Sequence, residues 1–199
     1  MQDLVIVSGL PLRWLVSPVR SELDDGRLAI EVGAGTDWFV DPSGERPPVT
    51  NAPALVGNAT GDYLLTARVT VEFRSAFDAG ALMLHVNDRL WAKLCFEYSP
   101  QEEPMIVSVV TDGRSDDANA FVVAGNEAWL RIARIGSAFA FHASLDGRTW
   151  RLVRHFTLGE GAEPTVGFEA QSPTGTGCVV TFDEVAFEPA RLDDLRSGA

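Results

Sequence analysis

The chain has 199 residues, 46% of them hydrophobic, and a formal charge of −12 at pH 7. That apolar content is enough to build a core and excludes a disordered chain, and the acidity argues against nucleic acid or an anionic membrane face as partners. No apolar run reaches the ~18 residues needed to cross a bilayer. Only two cysteines occur, and no basic stretch leads into an apolar run as a leader would, so free thiols and a cytoplasmic location are expected.

Alternation of apolar and polar residues marks half-buried strands, because successive side chains point to opposite faces. GRLAIEV (26–32) puts Leu28, Ile30 and Val32 on one face. DPSGERPPVTNAP (41–53) reads as a long surface loop. YLLTARVTVEFRS (63–75) sends Leu65, Ala67, Val69, Val71 and Phe73 one way and Thr66, Arg68, Thr70, Glu72 and Arg74 the other. ALMLHV (81–86), LWAKLCFE (90–97) and MIVSVVTD (105–112) follow, then an acidic turn, TDGRSDDAN (111–119). AWLRIARI (128–135), SAFAFHASL (137–145), TWRLVRHF (149–156), TVGFEAQ (165–171) and GCVVTFDEVAFE (177–188) complete the set, and the tail PARLDDLRSGA has room for one helical turn. Asp24-Asp25-Gly26, Asn87-Asp88, Asp112-Gly113, Gly136 and Asp146-Gly147 supply turns between them. Roughly ten to fourteen strands with hairpin spacing, no helical period and no Ser/Gly linker predict one all-β domain over residues 1–199, a sandwich or barrel.

LHVNDRLWAKLCFEYS (84–99) carries two interleaved sets. A three-residue loop, Asn87-Asp88-Arg89, pairs Val86 with Leu90. It gathers Leu82, Leu84, Val86, Leu90, Ala92, Leu94 and Phe96 on one face, leaving His85, Trp91, Lys93, Cys95 and Glu97 on the other. A slip of one residue exchanges the faces, so hydrophobic segregation favours this register. No glycine is present to take the left-handed position such loops usually need.

TDWF (36–39), FDAGALMLHVNDRLWAKLCFEYS (77–99), SVVTDGRSDD (108–117), WLRIARIG (129–136), SLDGRTW (144–150) and VGFEAQSP (166–173) come in an order and spacing that resembles the regulation-of-enolase-like family, domain of unknown function number 1349. The resemblance covers roughly residues 10 to 190. It implies a concanavalin A-like fold of the lectin and glucanase type: an antiparallel jelly-roll sandwich of two sheets, one convex and one concave. Trp91, Lys93 and Glu97 match the family's W-x-K-x-x-x-E strand, whereas His85 stands where relatives commonly carry Arg.

Lys93 and Glu97, four residues apart on one strand, are separated by about 13 Å along the backbone at ~3.3 Å per residue. They are therefore not an adjacent ion pair. On a concave sheet Trp91 offers a stacking plane and Lys93 and Glu97 a donor and an acceptor for sugar hydroxyls. The competing reading is a solvated face with cross-strand charge pairs. Arg131 is a candidate partner for Glu97 or for a ligand. The expected ligand-binding set is thus His85, Trp91, Lys93, Glu97 and Arg131, with Lys93 and Glu97 replaceable by Ala at little cost to the fold.

SLDGRTW reads as a structural tight turn built on Asp146-Gly147. Asp112, Asp116 and Asp117 lack the D-x-D-x-D-G pattern of a Ca²⁺ loop, and His85, His142 and His155 lack metal-ligand spacing, so no metal or cofactor is expected. The i, i+2 carboxyl pair of a jelly-roll glucanase strand is missing, as are a G-x-S-x-G elbow, a phosphate-cradling glycine loop and a dinucleotide fingerprint.

These features predict a ligand-binding module with a carbohydrate or sugar-like small molecule on the concave sheet. The alternatives are an enzyme acting there with Glu97 or His85 as acid/base, and a regulatory module with a protein partner.

Overall fold

A computed structural model describes residues 6–199. Sixteen strands follow one another: β1 (Arg13–Val16), β2 (Arg20–Asp24), β3 (Arg27–Glu31), β4 (Trp38–Phe39), β5 (Val49–Thr50), β6 (Ala54–Asn58), β7 (Tyr63–Val71), β8 (Ala79–Asn87), β9 (Leu90–Tyr98), β10 (Pro104–Asp112), β11 (Ser115–Val122), β12 (Glu127–Ile135), β13 (Ala138–Ser144), β14 (Arg151–Thr157), β15 (Thr165–Gln171) and β16 (Val179–Glu188). Two seven-stranded sheets form, ordered β1-β6-β15-β8-β9-β10-β11 and β14-β13-β12-β7-β16-β3-β2, with β4 and β5 paired by themselves. The fold is a two-sheet antiparallel jelly-roll sandwich.

Alternation drives the packing. In β7 the side chains of Leu65, Ala67, Val69 and Val71 are buried between the sheets, while Thr66, Arg68 and Thr70 stay partly exposed. Leu82, Leu94, Phe96, Ile132 and Phe141 join them in that core. Burying such side chains is the dominant favourable term in a fold of this kind.

The β8–β9 hairpin adopts the register that segregation favours: His85 faces Trp91, Leu84 faces Ala92 and Ala79 faces Glu97. The missing glycine is replaced by two devices. A bulge between His85 and Asn87 absorbs the extra residue, so that Asn87 faces Leu90. The Asn87 Oδ1 then accepts the Arg89 N–H at 2.9 Å, fixing the turn.

Several stretches refine the sequence reading. The acidic run after Asp112 is not a turn throughout, because Ser115–Val122 is an edge strand whose mostly exposed side chains hide its alternation. β6 is apolar on both faces, and the short β1 and β2 lie at sheet edges, so none shows a clean period of two. The run 41–53 is a cover as well as a loop: it contains β5 and closes with the buried Ala52 and Pro53. The tail closes in a turn in which Asp194 O accepts the Gly198 and Ala199 N–H groups at 3.0 and 3.2 Å.

Candidate functional site

The outer face of the first sheet decides what the second set of β9 does. That face is not open. Trp38, Val40 and Ala52, from the segment between β3 and β6, pack on Ala79, Ala81, Met83, Trp91, Cys95 and Val107 as a second apolar cluster. Trp38 pins this cover, its Nε1 donating to Ala52 O at 2.9 Å. Where the cover stops short, a cavity of about 420 Å³ remains. Its floor is Lys93 and Glu97 of β9, Val109 of β10, Asp117 of β11 and Gln171 of β15; Asp37, Phe39, Asp41 and Arg46 wall it from the cover, and Phe77 also lines it.

Lys93 is the centre of this floor. Its side chain is 2% exposed and its ammonium donates to Asp37 Oδ1 at 3.2 Å. A second hydrogen bond goes to Gln171 Oε1. Burial alone lowers the ammonium pKa, but the charges of Asp37, Glu169, Cys95 and Glu97 outweigh it and hold Lys93 above its ordinary value. The strand spacing that keeps Lys93 apart from Glu97 thus leaves the cation to a carboxylate from the cover.

Glu97 opens onto the cavity but is otherwise enclosed by protein. Burial pushes its carboxyl up to about 8; Lys93 opposes this, and Asp117, Asp37 and Glu169 add to it. At neutral pH the group is therefore largely the neutral acid, a donor as well as an acceptor. Asp117 is also raised, by desolvation first, though it stands at the exposed rim. Beside the floor, on the same face of β15 as Gln171, lies Glu169, fully buried, with neither carboxyl oxygen hydrogen-bonded. Its pKa is pushed up to about 7 by burial, against the pull of Lys93.

Phe77 is held in the left-handed region, φ 70°, where a non-glycine residue is strained. Four hydrogen bonds keep it there. Its N–H donates to Tyr98 O at 2.6 Å, its carbonyl accepts Gln171 Nε2 at 3.0 Å, and the buried Asp78 next to it accepts the Arg74 and Ser75 N–H groups. Gln171 therefore joins the Lys93 ammonium to the Phe77 backbone. Despite this fixation Phe77 is 36% exposed, so an aromatic surface is held in the lining of the cavity.

The five residues expected from the sequence divide. Lys93 and Glu97 lie together in the cavity wall. Trp91 does not: it is fully buried, edge-on to Trp38 at 5.9 Å, so its ring faces are spent on packing and cannot stack on a ligand. His85 lies under the same cover, edge-on to Trp38 at 5.3 Å, with burial lowering its pKa. Arg131 belongs to the other sheet and cannot reach Glu97; its guanidinium sits 3.7 Å over the Trp150 ring and donates to Gly198 O at 2.6 Å. The residues that sequence reasoning passed over are Asp37, Phe77, Glu169 and Gln171. All four fall inside TDWF, FDAG and VGFEAQSP, stretches that carried the family resemblance.

A family model described as "Protein of unknown function (DUF1349)" matches residues 14–190. The chain is similar to Regulation of enolase protein 1 of Saccharomyces cerevisiae, 30% identical over 181 residues and covering 86% of each. It is similar to the crystal structure of a functionally unknown protein from Saccharomyces cerevisiae, with a TM-score of 0.82 and 27% identity over 90% of this chain and 97% of that one. A xylan beta-1,4-xylosidase from Bacillus halodurans C-125 shares the fold alone, at a TM-score of 0.70 and 12% identity, with 88% of this chain covering 36% of that one. With the family model spanning nearly the whole sandwich, the chain belongs to the DUF1349 family of proteins of unknown function.

Proposed function

We propose that the protein is a binding module for a small polyhydroxylated ligand of sugar size, seated in the cavity above Lys93 and Glu97. The observation that carries this reading is the fixed chain Asp37–Lys93–Gln171–Phe77, which sets a rigid polar floor beside a strained, exposed ring. A volume of about 420 Å³ suits a ligand of one or two sugar rings. Hydroxyl groups need donors and acceptors interspersed, and the protonated Glu97, the Lys93 ammonium and the Asp37 and Asp117 carboxylates supply both. Phe39 and Phe77 provide apolar faces of the kind that pack on the C–H surface of a sugar. A thermal-shift screen of neutral mono- and disaccharides tests the proposal. A saccharide that stabilises the wild type and not Glu97→Gln supports it; a panel with no stabilising member overturns it.

One observation favours a second reading, an enzyme of the same pocket. A carboxyl held at about 8 is poised as a general acid or base near neutral pH. Turnover of a bound saccharide, lost in Glu97→Gln with binding retained, selects that reading. A regulatory protein partner is carried by the name of the yeast relative alone and attaches to no particular surface.

A further inference from the structure

We infer that a second cleft beside the cavity is an anion subsite, and that it takes the phosphate of a phosphorylated polyhydroxy ligand whose hydroxyl-bearing part occupies the cavity. This rests on the reading of the cavity given above and extends it. The cleft has a volume of about 370 Å³ and is walled by Arg46, Arg89, Arg114, Glu45, Pro48 and Gly113 among others. Three arginines thus line the cleft against one glutamate, in a chain whose net charge is −12. None of the three is in an ion pair among the described residues.

The convergence is built by the fold. Arg89 lies in the β8–β9 turn, Arg114 in the β10–β11 turn and Arg46 in the cover, positions far apart in sequence. The two turns are tied to each other, Gly113 N–H donating to Arg89 O at 2.7 Å. Arg114 is tied to the cover, its Nη1 donating to Asp41 O at 2.7 Å. Bare backbone makes room for the guanidiniums. A Cβ on Gly44, at φ +77°, would stand 2.5 Å from Arg114 Nη1, and one on Gly113, at φ +70°, 3.0 Å from Arg89 Nη2. Glycine at these two positions serves the turn and the arginine together.

The chemistry that fits is a compact multivalent anion. A guanidinium fork offers paired N–H donors matched to phosphate oxygens, and three forks can share a dianion that a single ammonium cannot orient. Arg46 and Pro47 border both the cleft and the cavity, so the partition between the two is that stretch itself. A ligand reaching from one to the other carries its anionic group on a hydroxylated body, which describes a sugar phosphate.

Calorimetric titration at fixed ionic strength tests the inference. Inorganic phosphate is titrated into the wild type, Arg89→Ala and Arg46→Ala, whose replaced side chains are exposed and leave the fold in place. The expected result is saturable binding weakened by about ten-fold or more in each variant, the scale of one charge-assisted hydrogen bond. Phosphate bound equally by all three proteins, or by none, overturns the subsite. A parallel series uses hexoses, the matching hexose phosphates and hexuronates. Hexose phosphates are expected to bind about ten-fold tighter than hexoses, with that advantage lost in Arg89→Ala and hexose affinity unchanged. Hexose and hexose phosphate binding alike overturns the subsite and leaves the cavity reading standing. Arginine-dependent phosphate binding with no sugar bound upholds the subsite and overturns the cavity reading. A preference for the hexuronate overturns the assignment to phosphate.

Discussion

Lys93 and Asp37 meet at 3.2 Å, the cation from the middle of β9 and the carboxylate from the segment laid over it. The pair does two things at once. It anchors the cover to the sheet, and it leaves Glu97 without a counter-ion of its own. Much of the site's chemistry follows from this one placement.

Removing Asp37 strands the ammonium in an enclosed place. Asp37→Ala is expected to cost about 3 kcal/mol, the scale of a buried pair broken from one side. Replacing both partners by apolar residues, Asp37→Leu with Lys93→Met, is expected to recover most of that loss. Urea unfolding of the single and double variants measures both. Burial of Lys93 also replaces the expectation that Lys93→Ala is harmless to the fold: a side chain 2% exposed is part of the packing.

Stability is expected to fall as pH rises from 7 to 9. Glu97 and Glu169 have folded values of about 8 and about 7, above the ordinary 4.5, so the folded state holds more protons than the unfolded one in this range. The stabilisation is then present at low pH and is lost as pH passes through the folded values. His85 and His142, lowered by burial, act in the opposite sense but only below their ordinary 6.5. Denaturant midpoints across pH 7–9 should decline in the wild type and flatten in Glu97→Gln/Glu169→Gln. A wild-type midpoint that climbs with pH would show these carboxyls to be ionised at no cost.

Phe77→Gly separates stability from binding. Glycine adopts φ 70° without strain, which offsets the loss of the ring's partial burial, so the variant is expected to stay within about 1 kcal/mol of the wild type. Saccharide affinity is expected to fall. Denaturant unfolding and calorimetry on the same preparation check the two arms.

Phe96→Ala tests the inner face of β9. The ring is fully buried and edge-on to Phe73 at 5.1 Å. Its loss is expected to cost about 3–5 kcal/mol in denaturant unfolding; a cost under about 1 kcal/mol contradicts the packing described.

The fold was legible because alternation is local: Leu65 to Val71 and Ala92 to Phe96 announce their faces within one strand. The site was half legible. Lys93 and Glu97 stood out as charges on a strand, but whether their face was wet depended on a distant segment, with Asp37 lying 56 residues from Lys93 in sequence. Trp91 misled for that reason, since an aromatic opposite a core face reads alike whether water or Trp38 covers it. Asp37, Glu169 and Gln171 gain their roles only through cross-sheet neighbours, and Phe77 only through a backbone angle. The arginine cleft draws on three separate segments, so no window of sequence contains it.

Whether a saccharide sits over Lys93 and Glu97 is read most directly by an NMR titration of the labelled protein with the saccharide that stabilises it most. Saturable shifts are expected at the Phe77 ring, the Glu97 carboxyl and the Gln171 side-chain amide, with Trp91 Nε1–H, sealed beneath Trp38, moving little. Shifts centred on Trp91 or Arg131, with Phe77 and Glu97 unmoved, would contradict that placement.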